Sequence, residues 1–375
     1  MHDSISAPAR HRRRFLGPLV ALVVVFVAVI VLGSWNLSEY AITPGQATPV
    51  APLVTISGLP TQTHHDRIML VDVYLSTLDV WQWVKLHFQS HVQFVPASDL
   101  LEPGIPSGEL DAQGYLEMSD SKQAAEVAAF RALGWKIVGT PTGVIINGVA
   151  DPSPANSAGL KVADEVVAVN GVAVRSTCAL VDHVHALRPG TALKLEVMKA
   201  HINAKGVISW ASPTTLAVTA AKAPGDLVAS GCPGLKGPNR SWLGITIEDA
   251  TQFVLPAQVS INTADIGGPS AGLAMTLTLI DQLSRGSLTG HHVIAATGTI
   301  AANGAVGDVG GVAQKTVAAQ RAGVSIFFVP QVEVATAKGA AGPGLRIIGV
   351  TSLRQVLKDL RRLGGAAPTA ITKPH

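Results

Sequence analysis

A serine set among small residues is the side chain of this sequence best placed to attack a substrate. Ser270 lies in the run GGPSAG at 267–272, directly before an apolar segment. A serine hydroxyl is a weak nucleophile until a base removes its proton. Lys315 is a candidate base, because burial lowers the pKa of a lysine and leaves its amine neutral. The sequence neighbours of Lys315 predict an apolar wall around it: Val312, Ala313, Val317 and Ala318.

A histidine is the alternative base, since residues 268–272 also match the G-x-S-x-G pattern of α/β-hydrolases. In those enzymes an aspartate and then a histidine follow the serine along the chain. Asp281 precedes His291 and His292 so closely that all would lie at one helix end, and no HGGG-like segment precedes the serine, which argues against an α/β-hydrolase.

A trypsin-like protease that carries a PDZ domain is a further alternative. It would place its nucleophile in a Gly-Asn-Ser-Gly-Gly run before that domain, and residues 40–135 contain no such run.

The last third of the chain predicts the elements that would position this serine and lysine. Apolar periodicity predicts strands at 259–262, 293–300 and 325–329, and helices at 270–283, 312–322 and 352–360. Alternation of strands and helices is typical of an α+β or α/β fold. Ser270 and Lys315 would each lie near the start of a helix.

Two segments of this region resemble the proteolytic domain of Lon-type peptidases. They are GGPSAGLAMTLTLID (267–281) and ATGTIAANGAVGDVGGVAQKTVAAQRAGVSIFFVP (296–330), and the resemblance covers most of 242–363. It implies a Ser-Lys dyad, with Ser270 as nucleophile and Lys315 as base.

The same resemblance assigns supporting roles around the dyad. Thr297 would hydrogen-bond the lysine amine and hold it toward the serine. Backbone N–H groups at the helix N-terminus would stabilise the oxyanion, and the supporting residues there are Gly268, Ala271 and Gly272. Two positions depart from the ATP-dependent Lon enzymes: Thr299 stands where a glutamate is common, and Gly267 stands where many have an aspartate.

Residues 136–222 resemble a bacterial PDZ domain. The resemblance rests on DPSPANSAGLKVADEVVAVNG (151–171) and on the predicted helix at 177–187. PDZ domains bind extended peptides as an added strand at a sheet edge. The implied groove lies beside that helix, with peptide-binding residues Gly143, Val144 and Ile145. The alternative is a small β domain that only separates two others.

The N-terminal region predicts a membrane anchor. Residues 15–38 carry no charge, and Arg10, Arg12, Arg13 and Arg14 precede them. This pattern favours a basic cytoplasmic tail at 1–14, a transmembrane helix at 15–35 and an extracytoplasmic catalytic body, hence a single-pass protein of the cell membrane. A cleaved signal peptide is the alternative. Whether Cys178 and Cys232 form a disulfide is left open.

The predicted fold class is therefore α+β: a transmembrane helix, a PDZ-like β domain with flanking helices, and a Lon-type proteolytic α/β domain. The remaining segments are an N-terminal extracytoplasmic region at 36–135, a linker at 223–241 and a C-terminal tail at 364–375. The helix predicted at 119–133 resembles a Lon-domain helix. The region at 36–135 is therefore either a separate region or the first part of a peptidase fold into which the PDZ domain is inserted.

Composition narrows the function further. Basic and acidic residues balance beyond residue 14, which argues against a nucleic-acid partner. No G-x-x-x-x-G-K-[ST] phosphate loop and no Cys/His zinc spacing occur in the sequence, so we expect no ATP, no metal and no cofactor. The prediction is an ATP-independent, membrane-anchored serine endopeptidase acting on unfolded or flexible polypeptides. The alternative is a catalytically silent PDZ scaffold that tethers exported proteins at the membrane. A homo-oligomer is expected, since Lon domains usually assemble in rings.

Overall fold

The computed structural model describes residues 20–27, 29, 33, 35–64, 67–101, 104–224, 232, 240–264 and 266–371. Within these residues the strands are β1 (Asn36–Pro49), β2 (Val54–Ser57), β3 (Arg67–Asp79), β4 (Gln93–Pro96), β5 (Gly139–Val149), β6 (Glu165–Val169), β7 (Val172–Ala173), β8 (Ala192–Met198), β9 (Ala200–Ile202), β10 (Ile208–Trp210), β11 (Thr214–Thr219), β12 (Ala221–Lys222), β13 (Ser241–Trp242), β14 (Ile245–Phe253), β15 (Gln258–Ile261), β16 (Val293–Ala296), β17 (Thr299–Ile300), β18 (Val306–Gly307), β19 (Ile326–Pro330) and β20 (Arg346–Val350).

The helices are α1 (Val80–His87), α2 (Leu110–Ala132), α3 (Pro154–Ser157), α4 (Thr177–His185), α5 (Gly272–Leu283), α6 (Val312–Arg321), α7 (Val334–Ala340) and α8 (Leu353–Arg362). Short 3-10 turns occur at Ala51–Leu53, Ala97–Asp99, Ser107–Glu109, Pro269–Ala271 and Gln331–Glu333. The turn at Pro269–Ala271 is called the Ser270 turn below.

A six-stranded sheet forms the first structural unit, in the order β20-β19-β16-β3-β1-β4. The strands β20, β19, β16 and β3 run parallel to one another, and β1 is antiparallel to both β3 and β4. Three strands come from the N-terminal region and three from the C-terminal part of the chain. The segment at 36–96 thus shares a sheet with the segment that resembles a Lon domain.

Side chains that alternate along β3 separate two cores, as expected for a strand buried on both faces. Ile68 and Leu70 belong to a core that also holds buried residues of α2 and α5. Met69 and Val71 belong to a core with α6 and α7. The helix that follows the Ser270 turn and the helix that carries Lys315 therefore lie on opposite faces of the same sheet.

A second sheet, in the order β11-β8-β6-β5-β14, forms the other unit, and β7 pairs with β6. Its core is made of apolar side chains from β5, β6, β8 and α4. Strand β14 pairs antiparallel with β5 along almost its whole length, from Ile245 opposite Val149 to Phe253 opposite Gly139. The predicted peptidase domain begins at 242, but β14 belongs to this second sheet, so the observed boundary lies after Phe253.

The two cysteines are joined. Cys178, near the start of α4, forms a disulfide with Cys232, with Cα atoms 5.3 Å apart. This separation lies inside the usual range for bridged cysteines. The pairing that the sequence left open is thus present, and it attaches residue 232 to the helix of the second unit.

The expected membrane anchor is contradicted. Across the part of the chain that the structure describes, no helix combines the length and the apolar character that a membrane span requires. The predictions of a transmembrane helix at 15–35 and of a single-pass cell-membrane location are therefore wrong. The predicted tail at 1–14 lies outside the described residues.

Candidate active site

The Ser270 turn leads directly into α5, which is buried along nearly its whole length. Gly268, which precedes the turn, has a φ of 85°, a left-handed conformation that glycine adopts without strain. Pro269 follows at the first helical position, where its missing N–H leaves no helical bond unmade. This local sequence holds Ser270 half-buried at the N-terminal end of an apolar helix.

Thr297 lies directly after β16 and is completely buried. Its backbone N–H donates to the Phe328 carbonyl across 3.0 Å, which extends the β16–β19 pairing. Its hydroxyl donates to the Ser270 carbonyl across 3.3 Å, and the N–H of Gly298 donates to the same oxygen across 3.0 Å. Thr297 therefore holds the backbone of the serine, whereas the sequence predicted a hydrogen bond to the lysine amine.

Lys315 lies in the first turn of α6 and is only 3% exposed. Gly311, at the start of this helix, has a φ of 68°, and a Cβ there would lie 3.0 Å from Val73 Cγ1 of β3. A glycine is thus what lets the start of α6 pack closely on the sheet. Burial lowers the pKa of Lys315 to about 8, and the negative charges of Glu333 and Asp72 partly oppose that shift.

The structure places Ser270 and Lys315 near one end of the sheet. The Ser270 turn and α6 both pack against β3, from its two faces. The Ser270 carbonyl accepts a hydrogen bond from Thr297, just beyond β16. The negative charge of Asp72, on the neighbouring strand β3, interacts electrostatically with Lys315. In the described part of the chain no hydrogen bond joins the two side chains.

The supporting glycines have distinct tasks. Gly268 donates its N–H to the Gly114 carbonyl across 2.7 Å, so this N–H is already engaged. Gly272 donates its N–H to Pro269, and a Cβ on Gly272 would lie 2.8 Å from Ile300 Cγ2. The N–H groups of Ser270 and Ala271 lie in the first turn of the helical run, where N–H groups lack the i−4 acceptor of an α-helix. These two are the candidate oxyanion donors.

Gly267, one of the departures from the Lon pattern, has a steric explanation. A Cβ at this position would lie 3.2 Å from the backbone carbon of Gly114 on α2. A separation this short is tighter than most Cβ contacts, so α2 would have to move by a few tenths of an ångström to admit a side chain. Gly267 therefore allows the backbone before the Ser270 turn to pack closely against α2.

Two residues outside the predicted set bear on the site. Glu333 accepts a hydrogen bond from the Val309 N–H across 2.8 Å, just ahead of α6. Its other carboxylate oxygen is buried without a hydrogen-bond partner among the described residues, and its charge raises the pKa of Lys315. Ser121 on α2 donates to the Pro269 carbonyl across 2.9 Å. No motif in the sequence marks either residue.

The peptide-binding edge differs from the prediction. Gly143, Val144 and Ile145 lie on β5, which pairs with β6 on one side and with β14 on the other. Their backbone is therefore unavailable for an added strand. The terminal strand of this sheet is β14, and a small cleft of about 70 Å³ lies between it and α4, lined by Leu180, Val181, Val184, His185, Ser241, Trp242, Leu243, Gly244, Ile245 and Ile247.

A larger cleft of about 790 Å³ lies along β2 and β15, with Glu126 and Phe253 in its lining, but neither Ser270 nor Lys315 borders it. The volume of a cleft does not show where a nucleophile and a base lie, so Ser270 and Lys315, and not this cleft, define the candidate active site.

Comparison with known proteins identifies both units. The Lon protease (S16) C-terminal proteolytic domain matches residues 260–361, and the PDZ domain matches residues 119–205. A solved PDZ domain of an SdrC-like protein from Listeria monocytogenes aligns with 29% of this chain and 90% of its own, at 18% identity and a TM-score of 0.21.

Curated relatives are named Lon protease. That of Rickettsia typhi is 29% identical over 135 residues, which cover 35% of this chain and 17% of the relative. That of Mycolicibacterium smegmatis is 44% identical over 64 residues, 17% of this chain and 8% of the relative. Lon protease 1 of Herpetosiphon aurantiacus is 32% identical over 132 residues, 34% of this chain and 16% of the relative. The similarity thus spans less than a fifth of each relative. This chain carries a serine peptidase domain of the Lon type together with a PDZ domain.

Proposed function

We propose that this protein is an ATP-independent serine endopeptidase that cleaves unfolded or flexible polypeptides, with Ser270 as nucleophile and Lys315 as general base. The observation that carries the proposal is the burial of Lys315, which lowers its pKa to about 8. Burial of a lysine whose pKa is lowered destabilises the fold, and groups with such shifted pKa values concentrate at catalytic sites.

In the proposed reaction the neutral amine of Lys315 accepts the hydroxyl proton of Ser270 as Oγ bonds to the carbonyl carbon of the substrate. The resulting ammonium then gives this proton to the amide nitrogen as the C–N bond breaks, which leaves an acyl-enzyme. In the second half water attacks the acyl carbon and gives a proton to Lys315. The ammonium then gives this proton to Ser270 Oγ as the ester bond breaks, which releases the carboxylic acid product and restores the serine hydroxyl and the neutral amine. The N–H groups of Ser270 and Ala271 are the proposed oxyanion donors in both halves.

Two features support the choice of substrate. The sequence contains no phosphate-loop motif, so nothing in these residues supplies the ATP-driven unfolding that a folded substrate requires. The open edge of β14 beside α4 offers a strand-addition site for an extended peptide. We therefore propose that the PDZ domain selects flexible peptide segments at this edge. We also propose that the protein is a homo-oligomer, as is usual for Lon domains, which light scattering after size exclusion tests.

The test is hydrolysis of fluorescently labelled casein by the wild type, Ser270→Ala and Lys315→Ala, each with and without ATP. We expect cleavage by the wild type alone, at a rate that ATP does not change. Lys338→Ala is the matched control, because this lysine is exposed on α7, and it should cleave like the wild type. Circular dichroism of each variant establishes that the fold is retained.

Cleavage by folded Ser270→Ala at the wild-type rate would overturn the assignment of the nucleophile. A wild type that does not cleave casein but binds peptides through β14 would favour the alternative function, a silent scaffold that tethers other proteins.

A further inference from the structure

Helix α2 holds the Ser270 turn by two hydrogen bonds. The Gly268 N–H donates to the Gly114 carbonyl across 2.7 Å, and the Ser121 hydroxyl donates to the Pro269 carbonyl across 2.9 Å. Gly114 and Ser121 are two helical turns apart, so they lie on the same side of α2. One side of this helix thus holds both residues that directly precede the nucleophile.

The contact is closely packed. Ser121 is 5% exposed, and a Cβ added to Gly272 would lie 2.9 Å from its Oγ. The Ser121 hydroxyl is therefore enclosed between α2 and the first residue of α5. In this position water cannot easily replace it as a donor to the Pro269 carbonyl.

Because a peptide unit is planar, these contacts also fix the directions of the N–H groups that are the candidate oxyanion donors. The C=O and N–H of a trans peptide unit point in opposite directions. A bond to the Pro269 oxygen therefore fixes the direction of the Ser270 N–H. In the next peptide unit, Thr297 and Gly298 hold the Ser270 oxygen, which fixes the direction of the Ala271 N–H.

We propose that Ser121 is a positioning residue for catalysis, whose hydrogen bond to Pro269 aims the Ser270 N–H at the oxyanion. The inference rests on the proposed peptidase function. Ser121 holds the carbonyl oxygen of the peptide unit between Pro269 and Ser270. Thr297 and Gly298 hold the carbonyl oxygen of the next unit, between Ser270 and Ala271. The oxyanion site is thus oriented from two sides, by α2 and by the chain that follows β16.

The pairing also explains why α2 belongs to the site although it carries no reacting group. Preorganised donors are effective because they need not reorient while the reaction proceeds. Without the hydroxyl, the Pro269 oxygen keeps only the bond from the Gly272 N–H within its own turn. The peptide unit would then be free to tilt, and the Ser270 N–H would lose its alignment with the developing charge.

The test compares Ser121→Ala with Ser119→Ala, a matched control two residues earlier on α2 whose side chain makes no hydrogen bond among the described residues. Active serines are counted by titration with a fluorophosphonate, and casein-derived peptide hydrolysis is then expressed per titrated site. We expect kcat per site to fall about tenfold in Ser121→Ala with KM changed less than about twofold, since misaligned groups lose rate more than binding. Ser119→Ala should match the wild type.

A purely structural role would reduce the number of titrated sites and leave kcat per site intact, which would overturn the proposal. If Ser121→Ala does not fold, Ser121→Cys, nearly the same size but a weak donor, is judged by the same criterion. Failure of the underlying function is distinct, because then Ser270→Ala would also cleave. An inactive Ser270→Ala beside a normal Ser121→Ala would refute the positioning role alone.

Discussion

Replacing Lys315 by methionine should abolish catalysis and make the protein more stable. The side chain is 3% exposed, and its pKa falls from 10.5 to about 8 in the folded protein. Desolvation of the ammonium is the first cause of this shift, so the folded state disfavours the charged form. Methionine has a similar length and no charge, and it removes that penalty while leaving the site filled.

The size of the effect follows from the shift in pKa. A displacement of roughly 2.5 units corresponds to about 3 kcal/mol, at about 1.4 kcal/mol per unit. Between pH 8 and 10.5 the unfolded chain binds more protons than the folded one, so the stability of the wild type rises with pH across that window. The penalty is complete below the folded pKa. The advantage of Lys315→Met should therefore be about 3 kcal/mol near neutral pH and about 1 kcal/mol near pH 10.

Urea unfolding of both proteins at these two pH values measures the difference. Lys338→Met is the control, because Lys338 is exposed on α7, and its effect on stability should be small at either pH. The reasoning is refuted if Lys315→Met is less stable than the wild type by an amount that does not depend on pH. Such a result would mean that the lysine is charged and well solvated in the fold.

Three further predictions concern the same site and the PDZ domain. The kcat/KM of the wild type should rise about tenfold per pH unit up to about pH 8 and then level off. Glu333→Gln should move this rising part of the pH profile to lower pH, because it removes a charge that raises the pKa of Lys315. A profile that does not move would contradict the role of Glu333. Gly272→Ala should lower the free energy of unfolding by about 2 kcal/mol, measured in urea, because its Cβ would lie 2.8 Å from Ile300 Cγ2; wild-type stability would argue against this packing. Replacing Cys178 and Cys232 by serine removes a link between residues 54 apart, and thermal unfolding should show a loss of roughly 4 kcal/mol, whereas an unchanged melting temperature would contradict the disulfide.

Local pattern was sufficient for much of the Lon-type unit. The helix expected at 312–322 is Val312–Arg321, and the strand expected at 325–329 is Ile326–Pro330. Both elements are buried and apolar over most of their length, which is the condition under which periodicity is informative. The residues that present the serine and the lysine could therefore be placed on elements from the sequence alone.

The strand expected at 293–300 is interrupted where the chain meets the Ser270 turn. It consists of β16 and β17, with Thr297 and Gly298 between them, and Gly298 has a φ of 144°. Both intervening residues donate a hydrogen bond to the Ser270 carbonyl, and Thr297 also keeps a backbone bond to Phe328 of β19. A run of apolar and β-branched residues predicts continuous strand, because nothing local reveals that the backbone turns to meet another segment.

Helix α2 begins nine residues before its predicted start at 119, as the bounds Leu110–Ala132 show. Its first turns contain Gly114, a residue that destabilises the interior of a helix. Tertiary contacts supply the missing stability: Leu116 packs on the PDZ sheet, and Gly114 meets the Ser270 turn. Contacts of this kind join residues that are distant in the chain, so periodicity within the helix cannot reveal them.

The order of segments along the chain explains why the edge strand of the PDZ sheet is not the one expected from the sequence. The motif at 151–171 locates the PDZ domain, but its last strand, β14, comes from residues that follow β13 and precede the Lon-type motif. A strand contributed from outside the recognised segment covers β5 and becomes the edge itself. No strand is predicted from the sequence at 245–253, where Glu248, Asp249 and Gln252 interrupt the apolar residues, and pattern alone does not say which strand such a segment joins.

The segment that forms the PDZ sheet is inserted in the chain between α2 and β15, which both belong to the peptidase unit. The chain leaves α2 for the PDZ sheet at Gly139 and returns from it at Phe253, and these two residues are paired in β5 and β14. The ends of the insert are therefore adjacent, which lets the sheet of the peptidase close around it. The last strand of the insert leads within a few residues to β15 and then to the Ser270 turn, while its first strand follows the helix that holds Pro269 through Ser121. The two hydrogen bonds that α2 makes with Gly268 and Pro269 thus join residues that precede and follow the PDZ sheet in the chain. Their geometry depends on the pairing of β5 with β14, which holds the two ends of the inserted segment together.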